Sequence, residues 1–137
     1  MRRVRPIGVL WFVCGLLACA GRTPVAPGAA LDSRFTLAPG ASAAIEGTPV
    51  QVRFDRVPSD SRCPSDAACI QAGDATVRIT IVSDGATQSD ELHTGAGGPH
   101  STVRSGVTIS LEDLSPQPVS ARPIPPSDYR ATFKATR

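Results

Sequence analysis

Aromatic side chains are scarce in this chain: one Trp, one Tyr and four Phe among 137 residues. Trp11 and Phe12 sit in an apolar N-terminal run, so the remainder holds only Phe35, Phe54, Tyr129 and Phe133. A core built there must come mainly from Val, Ile, Leu and Ala. That leaves a small domain a thin margin of stability, in which one covalent cross-link matters. An excess of one charge is lacking as well. Arg2, Arg3 and Arg5 are three of the 14 Lys and Arg; beyond them, 11 basic residues face 12 Asp and Glu. No basic patch argues for nucleic acid, and no such partner is expected.

The spacings that carry common chemistries are also missing. Zinc or copper needs clustered thiolate or imidazole, and the sequence has neither C-x-x-C nor H-x-x-x-H. There is no G-x-S-x-G nucleophile elbow. Gly95-Ala96-Gly97-Gly98-Pro99 lacks the lysine of a phosphate cradle and reads as a loop tip. The carboxylate pairs Asp90-Glu91 and Glu112-Asp113 are adjacent in sequence, and neighbours on a strand face opposite ways, so neither forms a general acid and base dyad. From these absences no enzyme, no metal and no cofactor is expected.

What the chain does have is an address. Three arginines within Met1–Arg5 precede an apolar run from Ile7 to Ala18, the layout of a signal peptide. A membrane-crossing helix needs about 20 apolar residues, and this run breaks at Gly21-Arg22-Thr23-Pro24. Its end, Leu16-Leu17-Ala18-Cys19, resembles the lipobox of bacterial lipoproteins, with Leu17 where a small residue is more usual. The resemblance implies removal of residues 1–18 and acylation of Cys19; more than one acyl chain there would anchor stably. Ala20 follows where an aspartate would signal retention, which implies the outer membrane, facing the periplasm. The alternative is ordinary cleavage after Ala18-Cys19-Ala20. Either way the mature chain lies outside the cytoplasm.

Residues 19–33 are Gly-, Ala- and Pro-rich without apolar periodicity, and read as a flexible tether. Residues 34–137 fit one domain. Apolar and polar residues alternate with period two through Val50, Val52 and Phe54, through Val77, Ile79 and Ile81, through Val107, Ile109 and Leu111, and through Tyr129, Ala131, Phe133 and Ala135. Weaker strands are expected at Phe35–Ala38, Ala43–Glu46 and Thr87–His93. About seven short strands with one polar face each predict an all-β, antiparallel β-sandwich, immunoglobulin-like, or a small closed barrel. Pro39-Gly40, Glu46-Gly47-Thr48-Pro49 and Ser83-Asp84-Gly85-Ala86 read as tight turns. Two connections are long: Pro58–Gly73, with two cysteines, and the proline-rich Asp113–Ser127, read as a surface crossover or edge.

With Cys14 discarded and Cys19 acylated, Cys63 and Cys69 remain in an oxidising compartment, where a structural disulfide is expected. The stretch Asp60-Ser61-Arg62-Cys63-Pro64, then Cys69 and Ala72-Gly73, resembles a pattern found in a family of small bacterial lipoproteins and secreted proteins. Gln71 stands where that pattern has an aromatic. The resemblance implies fold and location, and carries no activity to transfer.

Two functional readings remain open. One is a lipid-anchored envelope module, expected to be monomeric, that binds or supports an envelope protein. The other is a metal or small-ligand binder, or an enzyme, with its site on the loops bearing Asp60, Arg62, His93 and His100. A third, narrower reading, resting on loop closure alone, is that the cysteine-closed segment faces a protease.

Overall fold

The computed structural model describes residues 26–137; the signal segment 1–18 and Cys19 lie outside the described residues. The expected all-β sandwich is what forms, with nine strands in place of seven. They are β1 (Ala26–Ala29), β2 (Arg34–Leu37), β3 (Ser42–Ile45), β4 (Val50–Asp60), β5 (Ala75–Ser83), β6 (Ala86–His93), β7 (Ser101–Arg104), β8 (Val107–Ser115) and β9 (Arg130–Thr136). One sheet has the order β1-β3-β4-β5-β6 and the other β2-β9-β8-β7. All pairings are antiparallel except β1 with β3.

Period-two alternation explains the core. Val50, Val52 and Phe54 from β4, Val77, Ile79 and Ile81 from β5, and Ala131, Phe133 and Ala135 from β9 are all buried. Their neighbours Arg53, Arg78 and Lys134 face outward, because successive side chains on a strand point to opposite faces. Phe133 sits between the other two phenylalanines, with ring centroids 5.9 Å from Phe35 and 6.4 Å from Phe54. Among the described residues, no polar or charged residue belongs to this core. The interior is therefore a dry apolar layer, and any chemistry belongs on the outside.

Three expectations need correction. Residues 26–33 belong to the domain and not to the tether: β1 pairs Ala26 with Ala43 and Ala29 with Ile45, Ala29 is buried, and Glu46 N–H bonds its carbonyl at 2.9 Å. Ala-Pro-Gly-Ala carries no alternation because β1 is an edge strand of only four residues, made of small side chains and proline. The second missed strand is β7, too short for a pattern, which is paired with β8 across Ser105-Gly106. Third, the proline-rich connection joins β8 to its own neighbour β9, with Ser115 opposite Arg130, so it is a long hairpin excursion and not a crossover.

The two ends of the sandwich differ. At one end the hairpin tips are short: Asp84-Gly85 and Ser105-Gly106 each have two consecutive positive φ angles, 49° and 78°, then 48° and 74°, as a two-residue hairpin turn of matching twist requires. Ser105 Oγ donates to Asp84 Oδ2 between them, joining one sheet to the other. At the opposite end lie all three long connections: 61–74, 94–100 and 116–129.

Candidate functional site

β4 does not stop where its sheet does. Beyond Asp60, paired with Ala75, Ser61 N–H donates to Asp74 O at 2.7 Å and Cys63 N–H donates to Ala72 O at 2.9 Å. The expected irregular loop therefore begins as a narrow stem. Only Gly73 fits one side of it. Its φ is 71°, and a Cβ there would stand 1.9 Å from Ser61 O. At the head of the stem the Cys63–Cys69 disulfide closes a ring, with Cα atoms 6.0 Å apart.

The ring is tied sideways to the proline-rich connection. Ser65 N–H donates to Pro118 O at 2.8 Å, and Asp66 Oδ1 accepts from Ser120 N–H at 2.9 Å and Ser120 Oγ at 3.0 Å. Those donors, the Ser120 N–H above all, hold the Asp66 carboxyl below its ordinary pKa.

Below the ring, Asp60 and Arg62 brace the stem against the second sheet. Arg62 Nε and Nη2 donate to the two Asp60 oxygens at 2.9 and 2.7 Å, and both side chains are about nine-tenths buried, 8% and 10% exposed. The remaining guanidinium donors reach Leu114 O and, at 2.9 Å, Pro116 O, which fixes the end of β8. Tyr129 Oη donates to Asp60 Oδ2 at 3.0 Å. Burial pushes the Asp60 carboxyl up, but hydrogen bonds from Arg62, its charge and the Tyr129 hydroxyl outweigh burial, and the net pKa is lowered. Tyr129 is raised, by burial first and then by its bond to the Asp60 carboxylate.

On the other flank, His93 Nδ1 lies 2.6 Å from Asp74 Oδ2. Asp74 Oδ1 accepts from Gly95 N–H at 2.7 Å. Burial raises the Asp74 carboxyl, yet the bonds from His93 and Gly95 bring it below the ordinary value. The glycine segment wraps the imidazole so closely that a Cβ on Gly98 would stand 2.4 Å from His93 Cδ2. His100 Nδ1 contacts the main-chain oxygen of His93 at 2.8 Å.

The four candidate residues read from sequence thus lie at one end but in two separate networks, Asp60 with Arg62 and His93 with Asp74. Sequence reasoning missed Asp74, Tyr129 and the tip residue Ile70. Asp74 follows the Ala72-Gly73 pair directly, and Tyr129 precedes β9, but no spacing shows that either faces these groups. A cleft of about 290 Å³ lies between stem and β8, lined by Arg62, Gly73, Gly95, Glu112 and Asp113 among others; neither histidine lines it. The pair His93 and Asp74 has the orienting half of a catalytic triad, and no hydroxyl or thiol is hydrogen-bonded to His93 among the described residues. No group of three or more His, Cys, Asp or Glu able to hold a metal is found among them.

Asp60, Arg62, Asp66, Asp74 and His93 are thus engaged in holding these connections together, whereas the ring's tip is left open. Residues 66–73 are exposed, Ile70 fully so at 105%, and Ala68, Cys69, Ile70 and Gln71 make no main-chain hydrogen bond within the described residues. What fold and site define together is a β-sandwich that presents a cross-linked, braced loop from one end. No family model, curated protein or solved structure matches the chain. Among the described residues no helix is long and apolar enough to cross a membrane.

Proposed function

We propose that this chain is an exported, lipid-anchored envelope protein that acts by binding, with the loop end as its contact surface for a partner protein. The observation that carries the reading is the contrast at that end. Asp60, Arg62, Asp74 and His93 spend their hydrogen bonds on holding loops in place, while the loop they hold exposes an apolar side chain and free main chain. Fixing a loop before it meets its partner removes an ordering cost from binding, and an exposed apolar anchor is the usual source of interface energy.

Anchoring at Cys19 supports the same reading. Seven residue steps separate it from Ala26, the start of β1, and at the chain's maximal extension they reach about 25 Å. A domain so tethered stays near the bilayer and meets partners of the envelope. The test is a photo-crosslinking residue placed in living cells either at Ala68 in the ring or at Thr48 in the tight turns. Adducts from Ala68 and none from Thr48 are expected; the reverse distribution would remove the loop end as the contact surface.

A further inference from the structure

We propose that β6 is the pairing edge of a symmetric dimer: two copies of this chain join antiparallel across Ser89 and run their five-stranded sheets into one. The inference goes beyond the binding function above and does not depend on it, since β6 forms a side of the sandwich and not its loop end.

The two sheets have four edge strands, β1, β6, β2 and β7, and three of them are blunted. β1, β2 and β7 have four residues each, and β1 carries Pro27 and an irregular register. Short edges, prolines and bulges are the usual means of stopping a free edge from recruiting another strand. β6 has none of them. It runs from Ala86 to His93 without proline, lysine or bulge, and every residue of it is in register with β5.

Its outer side is open. Thr94 N–H bonds Ala75 O, so the alternation of an antiparallel ladder turns the main-chain groups of Gln88, Asp90 and Leu92 toward β5 and those of Thr87, Ser89, Glu91 and His93 away. His93 uses its N–H on the adjoining loop, donating to Pro99 O at 2.9 Å. The N–H and C=O groups of Thr87, Ser89 and Glu91 have no main-chain partner among the described residues.

An open edge alone does not choose its occupant; here the side chains do. Centred on Ser89, antiparallel copies set Thr87 opposite Glu91 and Gln88 opposite Asp90, so each carboxylate meets a hydroxyl or amide donor. All the open main-chain groups of both copies are then paired. The carboxylates are also neutralised from behind on each copy: Arg78 Nη2 donates to Glu91 at 2.6 Å, and Arg104 Nη2 to the two Asp90 oxygens at 2.8 and 2.6 Å. Sliding the register one step sets Asp90 against Asp90, and like charges directly opposite destabilise a strand pair. Sliding it the other way puts Glu91 opposite Gly85, in the turn beyond the end of β6. One register therefore suits the strand to itself, as a two-fold interface requires. Since β6 runs toward the loop end, the union sends the two loop ends to opposite extremities and leaves both uncovered.

The test is sedimentation of the full chain in mild detergent over a concentration series, in which a monomer–dimer equilibrium is expected. Ser89→Pro should weaken it by on the order of 100-fold, because the lost N–H serves only the partner strand. Its thermal transition, compared where both chains are monomeric, should stay in place, since proline is tolerated where an edge strand faces solvent. Should that variant fail to fold, Ser89→Lys sets two like charges opposite each other and should weaken pairing likewise. Cysteine pairing under mild oxidation reads the register. Ser89→Cys should link to its own copy, with Cα atoms about 5.5 Å apart. Thr87→Cys alone should not, because its equivalents lie about 14 Å apart along the strands, whereas a mixture of Thr87→Cys and Glu91→Cys chains should. A monomer at every concentration, a dimer untouched by both Ser89 variants, or Thr87→Cys linking to itself as readily as Ser89→Cys would overturn the proposal.

Discussion

Arg62 donates from two nitrogens to the carboxylate of Asp60, two residues earlier on the same strand end, at 2.7 and 2.9 Å. The side chains share one side because residues two apart on an extended strand do, and Arg62 follows directly on the pairing of Asp60 with Ala75. The pair then reaches across to Leu114 O, Pro116 O and the Tyr129 hydroxyl, so one ion pair joins β4, β8 and the approach to β9. A surface pair would contribute little. This one is largely shielded from water, and its partners take four of the guanidinium's five N–H donors.

Removing one member should therefore cost more than the pair itself contributes. Arg62→Ala leaves the Asp60 carboxylate shielded and without its counter-charge, for an expected loss of about 3 kcal/mol in unfolding free energy. Urea denaturation measures it. A loss below about 0.5 kcal/mol would place the pair with ordinary surface contacts.

The carboxylates also set a pH dependence. Asp60 and Asp74 both titrate below the ordinary aspartate value in the folded chain. The folded state then binds fewer protons than the unfolded state at acid pH, so stability rises with pH there. Their contribution is complete above the unfolded value of about 3.9 and is lost as pH falls through the lower folded values. Asp74→Asn should be less stable than the native chain at neutral pH, and the difference should shrink as pH falls through the lowered folded value of Asp74. Parallel curves from pH 7 to pH 2 would contradict the assignment.

Loss of the disulfide should act on the ring and leave the sandwich in place. Closing a loop with a six-residue separation stabilises by about 2 kcal/mol in the chain-entropy picture. Cys63→Ser with Cys69→Ser should lower the unfolding free energy by that amount. It should also open residues 65–73 to limited proteolysis while the strands stay protected. Unchanged proteolysis would mean that the Ser65 and Asp66 contacts alone fix the ring.

The address is tested by Cys19→Ser. If Cys19 bears the lipid, the variant should move from the membrane fraction to the soluble fraction; unchanged partitioning would rule out acylation at that residue.

The strongly alternating segments were legible because burial on one face imposes period two: Val50 to Phe54, Val77 to Ile81, Val107 to Leu111 and Ala131 to Ala135 all lie in strands with their apolar members buried. Asp84-Gly85 was legible from turn chemistry, and the disulfide from compartment and spacing. β1 and β7 were not, since edge strands of four residues are too short to establish a period-two pattern. The site was half legible. Asp60 and Arg62 are near in sequence and meet, but Asp74 with His93 is a contact between two strand ends 19 residues apart. The bond from Tyr129 to Asp60 spans 69 residues, and neither contact has a local signature. Ile70 was invisible as an anchor because exposure of one apolar residue follows from how its loop is held, not from its neighbours' identity.

Binding through a prearranged loop requires that the ring be as rigid as the strands that carry it. Backbone relaxation of the amide groups from Cys63 to Gly73 measures this directly. The account predicts order parameters near about 0.85, equal to those of β4 and β5. Values below about 0.6 across the ring would contradict it, because a loop that mobile meets its partner unformed.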